Sequence, residues 1–143
     1  MDQREIFNIM KNRFMFMGTV EGTIPHVRPM KPYIDDENNI WLISHVDTKK
    51  IREIEDNSKV ELCTLGDENE VLRIAGQLES EDHFSKNILD DIKTKMFVSI
   101  PQLQGFFQGP EDKSIAIYHL KVSEIIFRHS ENEVKSELNF HKG

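Results

Sequence analysis

Short strand-like runs separated by short polar turns make up most of this sequence. The runs cover about residues 13–20, 24–33, 40–45, 59–65, 70–80 and 114–129. The turns include Glu21-Gly22, Asp35–Asn39 and Gly66–Asn69, and turns this short join antiparallel neighbours. The chain is therefore predicted to be mainly β, of the α+β class, and to form a small antiparallel barrel.

Three stretches with helical spacing, at about 2–12, 48–57 and 82–95, are predicted to form peripheral helices. The apolar residues expected to face the core are Ile6, Ile9 and Met10 in the first, Ile51 and Ile54 in the second, and Phe84, Ile88, Leu89 and Ile92 in the third. Asp47 or Thr48 is a candidate N-cap of the second helix.

The run from 24 to 33 is unusual for a strand because Pro25, Pro29 and Pro32 each remove a backbone donor. This pattern predicts an edge strand, a bulge, or a strand that leaves its partner to face a ligand. The two-residue repeat places on one face Ile24, His26, Arg28 and Met30. A bulge at one of the prolines would break that register.

A length of 143 residues predicts a single domain, 1–143, with a loose polar tail from about 131 to 143. The net charge of −7 argues against a nucleic-acid binder, which carries a basic face. No apolar run approaches the roughly 18 residues that cross a bilayer, and the start is not a signal peptide. Cys63 is the only cysteine, so no intramolecular disulfide forms. These features predict a cytoplasmic protein with no membrane partner.

A candidate anion site combines Arg28 on its strand with the helix start at Asp47-Thr48-Lys49-Lys50. A helix start presents unpaired backbone N–H groups and the positive end of the helix dipole, which suits a phosphate. The alternative reading of this lysine pair is a solvated, exposed charge run.

Other residue types give weaker signals. Phe106 and Phe107 stand between glycines, where they either plug a barrel end or contact a flat ring. His26 and His45 lie near the anion site, although a strand histidine is more typically structural. No HxxxH or CxxC spacing occurs, so no metal is predicted, and no acid or base is nominated as catalytic.

The segment PHVRPM, followed by WLIS and then HVDTKKIREI, resembles the FMN-binding split-barrel family. That family includes pyridoxamine phosphate oxidases and the small general-stress flavoproteins. The resemblance covers about positions 13 to 80 and implies a split barrel, a homodimer, and FMN in a cleft at the dimer interface.

The resemblance also implies cofactor-binding roles for particular residues. Arg28, Lys49 and Lys50 would hold the FMN phosphate, with the Thr48 hydroxyl beside them. The remaining expected contacts along the flavin are Pro29, Met30 and Lys31 on one strand, and Ile43 and Ser44 on the next. A further contact near Val71 to Arg73 is left open.

Two departures bear on the activity. Tyr33 stands where the oxidases carry a substrate-binding lysine, and their C-terminal substrate segment is not reproduced. The resemblance is closer to the general-stress flavoproteins and implies an FMN-dependent oxidoreductase reduced by NAD(P)H, whose substrate is unknown. The alternatives are a non-catalytic flavin- or haem-binding stress module, or a deazaflavin cofactor. Candidate haem ligands are His119, His129 and His141.

Overall fold

The computed structural model describes residues 3–11, 13–128 and 137–140. The helices are α1 (Gln3–Lys11), α2 (Lys49–Asp56) and α3 (Lys86–Ser99). The strands are β1 (Met15–Glu21), β2 (Ile24–Met30), β3 (Tyr33–Ile34), β4 (Ile40–His45), β5 (Lys59–Leu65), β6 (Val71–Glu79), β7 (Ile115–Arg128) and β8 (Glu137–Phe140). No helix within these ranges is long and apolar enough to cross a membrane.

The strands form one antiparallel sheet in the order β2-β1-β5-β6-β7-β4-β3, and β8 pairs with β7. The sheet is curled, because Met30 near one edge and Ile34 at the other belong to the same buried cluster. The chain passes from edge strand β2 to edge strand β3 within a few residues, so the barrel is open between them. The predicted antiparallel arrangement is confirmed.

The proline-containing strand β2 lies at the edge of the sheet, as its sequence predicts. It pairs with β1 alone in the described sheet, and Pro25 and Pro29 lie opposite Val20 and Phe16. The register runs without a shift from Ile24 to Met30, so the prolines introduce no bulge. The predicted face assignments along β2 are therefore confirmed up to Met30.

The apolar core is divided in two by β4. Ile40 and Leu42 face the barrel interior, where they join side chains from α1, α2 and most strands. Trp41 and Ile43 face the other way and pack beneath α3. Because both faces of β4 are covered, Ile40 to Ser44 are all buried.

The loop from Asp35 to Asn39 is closed by one buried carboxylate. Asp35 Oδ1 accepts hydrogen bonds from the backbone N–H groups of Glu37 and Asn39, at 2.9 and 2.8 Å. Its Oδ2 accepts the indole N–H of Trp41 at 3.0 Å. This single residue therefore ties the hairpin loop to the layer beneath α3.

A β-bulge between Ala75 and Gly76 bends β6 where it pairs with β7. A Cβ added at Gly76 would lie 2.3 Å from the carbonyl oxygen of Lys121. Glycine is therefore required here by the close approach of two backbones.

The third helix begins later than its predicted start near Asp82. Glu81–His83 form a 3-10 turn, and the helix begins at Lys86 after Ser85, whose hydroxyl accepts the N–H of Ile88. Phe84 lies before the helix because its ring packs edge-on against Trp41, 5.1 Å between centroids. Ile88 is 49% exposed, so its predicted place in the core is wrong.

The C-terminal part differs from the prediction at four residues. Residues 115–128 form one continuous strand, and Glu137–Phe140 adds β8 within the segment predicted to be loose. The rest of that segment lies outside the described residues.

In the loop before β7, Phe107 is buried and stacks on His45, whereas Phe106 is 74% exposed.

Candidate functional site

The inner face of the β1–β2 hairpin brings several polar side chains together. In the antiparallel register Thr19 lies opposite His26 and Met17 lies opposite Arg28, so all four side chains share one face. Helix α2 packs against β1 on this side. The predicted strand arginine and the predicted lysine-rich helix start are therefore neighbours in space.

Arg28 is held by a carboxylate that comes from the helix. Its Nη2 donates to Oε2 of Glu53 at 2.8 Å, and Oγ1 of Thr19 donates to the same oxygen at 2.8 Å. Glu53 is 2% exposed, while Arg28 keeps 23% of its side chain accessible. Burial opposes ionisation of Glu53, but the hydrogen bonds from Thr19 and Arg28 outweigh it, and the pKa of Glu53 is lowered.

Lys50 presents a half-buried ammonium group beside that guanidinium. Its Nζ lies 3.4 Å from the sulfur of Met30, a weak acceptor. Among the described residues no carboxylate lies within ion-pair distance of it. Burial, and then the charge of Arg28, lower the pKa of Lys50 below its usual 10.5. The protonated amine is therefore destabilised here until an anion approaches.

Lys49 is in a different environment from its neighbour. Its side chain is 55% exposed, and its Nζ lies 3.3 Å from Oε1 of Glu21. That hydrogen bond, and then one with His26, lower the pKa of Glu21. Lys49 therefore already has a carboxylate partner in the solvent-exposed part of the site.

Glu21, His26 and Glu53 approach one another closely enough to hold a metal ion, with one ligand atom from each lying within 4.8 Å of the others. Nε2 of His26 is 3.3 Å from Glu21 and 3.6 Å from Glu53. Both carboxylates already pair with a cation, Lys49 for Glu21 and Arg28 for Glu53. A divalent ion would add charge to a cluster whose acids are already compensated, so we do not assign a metal here.

The start of α2 leaves its first backbone N–H groups available. Thr48 occupies the N-cap position, but its side chain makes no capping hydrogen bond to the helix. Its hydroxyl donates instead to the carbonyl of His45 at 3.1 Å and lies 3.3 Å from the hydroxyl of Ser44. Ser44, Thr48, Lys49 and Lys50 are thus grouped at the helix start, as the sequence predicts.

Three predicted contact residues present their side chains elsewhere. Pro29 is exposed on the outer face, opposite Phe16. The ammonium of Lys31 lies 5.5 Å from the ring centroid of Phe14. Ile43 is buried beneath α3 rather than on the side of Ser44. For Pro29 and Lys31, the resemblance implies contact with the flavin through backbone groups, which does not depend on where their side chains point.

Other sequence candidates lie in established contacts away from this cluster. Arg73 is ion-paired with Glu61 at 2.6 Å. His119 is engaged on both ring nitrogens, by Glu79 at 2.8 Å and Asn39 at 3.2 Å, so it is not available as an axial ligand. The other two haem-ligand candidates, His129 and His141, lie outside the described residues. Burial raises the pKa of the Cys63 thiol, which disfavours a reactive thiolate.

A large surface cavity of about 960 Å³ lies elsewhere, between α3 and the loop before β7. Its charged side chains include the ion pairs Lys86–Asp90 and Lys93–Glu81, at 2.6 and 3.1 Å. These groups compensate one another, so the cavity has less capacity to bind an anion than the hairpin cluster.

Sequence reasoning missed the acidic side of the site. Glu53 lies three positions after Lys50 and is flanked by the core positions Ile51 and Ile54, which places it on the buried side of the helix. That helical spacing is the signal that could have identified it. Thr19 carries no comparable signal, because a threonine in a strand is ordinary.

The sequence model of the pyridoxamine 5′-phosphate oxidase family matches residues 3–129. A comparison with curated proteins found no match.

Several solved structures share the fold of this chain. A NimC/NimA family protein from Clostridium acetobutylicum superposes with a TM-score of 0.75 at 18% identity, covering 96% of this chain and 89% of that one. General Stress Protein 26 from Bacillus anthracis has a TM-score of 0.72 at 20% identity, with 94% and 97% coverage. A pyridoxamine 5′-phosphate oxidase-related, FMN-binding protein from Nostoc punctiforme has a TM-score of 0.74 at 17% identity, with 99% and 91% coverage. These likenesses confirm the predicted split-barrel fold.

Proposed function

Because the chain belongs to the pyridoxamine 5′-phosphate oxidase family, we propose that it binds FMN and acts as an FMN-dependent oxidoreductase. The phosphate would lie against Arg28, Lys50 and the start of α2, with Lys49 and the Thr48 hydroxyl at its outer side. Met30 and the backbone of Pro29 and Lys31, together with Ile43 and Ser44, are the expected contacts along the flavin.

One observation carries the proposal. The ammonium of Lys50 is half-buried beside Arg28, and the described residues place no carboxylate next to it. Two adjacent cations in a partly desolvated site favour a doubly charged anion over water. The uncapped N–H groups at the start of α2 add further donors for the same anion.

Bound FMN would supply the electron-transfer chemistry, and the chain would supply binding and orientation. We infer that the electron donor is a nicotinamide nucleotide. Pyridoxamine phosphate is a poor candidate substrate, because Tyr33 stands at the place of the substrate-binding lysine and is half-buried. Burial, and then the charge of Asp36, raise the pKa of Tyr33, so its side chain stays a neutral phenol and offers no positive charge to a substrate phosphate.

A flavin-holding module without turnover is the second candidate. We include it because the chain shares its fold with General Stress Protein 26. Both candidates use the same phosphate site, but only the oxidoreductase would show catalytic turnover.

We further propose that the protein is a cytoplasmic homodimer. The outer face of the β1, β2 and β5 strands carries the exposed side chains Phe16, Val27 and Leu65, at 54, 70 and 54% exposure. The pairing register places these three residues on one face. An apolar surface of this kind is suited to a second copy of the chain, which would cover it.

The test begins with the visible absorption spectrum of the purified protein, followed by titration with FMN and riboflavin. Two flavin bands that survive gel filtration, and tighter binding of FMN than of riboflavin, are the expected results. Arg28→Leu should weaken FMN binding by about 1.5–3 kcal/mol, the scale of a hydrogen bond to a charged group. Arg52→Leu, at an exposed position on α2, is the matched control.

Anaerobic bleaching of the flavin by NADPH or NADH, with turnover in air, would support the oxidoreductase. A stable yellow protein that neither nucleotide reduces would favour the flavin-holding module. A single intense Soret band, or a protein that ignores added FMN, would contradict the proposal.

A further inference from the structure

Glu53 connects α2 to both strands of the β1–β2 hairpin through a single oxygen. Its Oε2 accepts from Thr19 on β1 and from Arg28 on β2, each at 2.8 Å. Thr19 is 1% exposed and Glu53 is 2% exposed. This carboxylate is therefore enclosed, and its two donors come from neighbouring strands that share one face.

A buried negative charge is unexpected at a site for a phosphate. Coulomb repulsion between Glu53 and a bound anion opposes binding, and the repulsion is stronger where water is excluded. The Oε1 atom of Glu53 has no hydrogen-bond partner among the described residues, a further cost of keeping a carboxylate here. Glu53 must therefore contribute something that a neutral residue would not.

The orientation of Arg28 is that contribution. Arg28 lies on an edge strand and keeps 23% of its side chain accessible, so without a partner this long side chain would have many rotamers. The guanidinium has a rigid, planar set of donors, so one hydrogen bond from Nη2 to Glu53 also restricts where the other donors point. An arginine that is ordered before the ligand arrives loses less entropy on binding it.

We propose that Glu53 is a positioning residue, which holds Arg28 so that its remaining N–H groups face the ligand phosphate. This inference rests on the proposed function, since Arg28 and Lys50 are the phosphate contacts there. Thr19 assists by fixing the same carboxylate oxygen. Glu53 itself does not touch the ligand.

Positioning and simple electrostatics predict opposite results for Glu53→Gln. If Glu53 acts only as a nearby charge, its neutralisation should tighten FMN binding. If it positions Arg28, the neutral amide holds the guanidinium less firmly and FMN binding should weaken. Ordering one long side chain is worth about 2- to 10-fold in affinity, which sets the expected size of the loss.

The experiment compares dissociation constants for FMN and riboflavin, measured by quenching of flavin fluorescence, in the full-length chain. The ratio of the two constants isolates the phosphate, because riboflavin has the same ring without it. We expect Glu53→Gln to lower this preference for FMN about 2- to 10-fold, while riboflavin binding changes little. Glu55→Gln, an exposed acid on the same helix, should leave the ratio unchanged.

An unchanged or increased FMN preference in Glu53→Gln would overturn the proposal. A purely structural role would weaken both ligands equally and leave the ratio as it was. If Glu53→Gln does not fold, Thr19→Val decides by the same ratio, because it removes one hydrogen bond and no charge. Wild-type protein that binds FMN no better than riboflavin would refute the phosphate site itself, before any variant is compared.

Discussion

The two lysines at the start of α2 should differ sharply in their effect on FMN binding, although they are neighbours in sequence. Lys50 is half-buried next to Arg28, and in the described part of the chain it has no carboxylate within ion-pair distance. Lys49 is 55% exposed and already 3.3 Å from Glu21. We therefore expect Lys50→Met to weaken FMN binding much more than Lys49→Met.

The magnitudes follow from these environments. A hydrogen bond from Lys50 to phosphate in a partly desolvated site is worth about 1.5–3 kcal/mol, or about 10- to 150-fold in the dissociation constant. An exposed ammonium that must leave a carboxylate partner contributes at most about 1 kcal/mol, or about fivefold. Even with the smallest loss expected for Lys50→Met and the largest expected for Lys49→Met, the two dissociation constants should differ by about twofold.

Fluorescence titrations with FMN and with riboflavin provide the assay, and thermal unfolding of each unliganded variant provides the control. Lys50→Met removes a charge whose burial is unfavourable, so its melting temperature should be equal to or above that of the wild type. Equal losses in the two variants, or equal losses for FMN and riboflavin, would refute the reasoning.

Three further outcomes are expected. Gly76→Ala should lower the free energy of unfolding, measured in urea, by about 1–3 kcal/mol, because its Cβ would meet a backbone oxygen at 2.3 Å. The control variant Gly18→Ala, whose Cβ would have no atom nearer than 3.8 Å, should change the free energy of unfolding by less than about 1 kcal/mol. Asp35→Ala should cost at least about 2 kcal/mol in urea unfolding followed by the fluorescence of the single tryptophan, and the exposed neighbour variant Asp36→Ala should stay within about 0.5 kcal/mol. FMN affinity should fall as the pH rises through the pKa of Lys50, which lies below 10.5. Riboflavin affinity, measured at the same pH values, is the control for ionisation of the flavin ring. Between the lowered pKa of Lys50 in the folded protein and 10.5, the unfolded chain binds more protons than the folded one, so the unliganded protein should gain stability as the pH rises. Lys50→Met should lack both this gain in stability and the fall in FMN affinity.

Local signals were enough for most of the fold. The strands Ile40–His45 and Lys59–Leu65 have the bounds that alternation and turn residues predict. The start of α3 was missed because Phe84 fits the helical spacing equally well, and only its contact with Trp41 places it before the helix. Residues 137–140 join the sheet because β7 offers them backbone partners, which a polar local sequence does not reveal.

The sequence alone determined which groups could form an anion site. A two-residue repeat placed Arg28 and Met30 on one strand face, and the helix start placed Lys49 and Lys50 together, because both patterns depend on local backbone geometry. Only the tertiary structure decided how those cations differ. Glu53 lies 25 positions from Arg28 and meets it because α2 packs across the hairpin. The same packing shields Lys50 and leaves Lys49 in solvent, since burial and charge pairing depend on contacts between distant segments that no local pattern encodes.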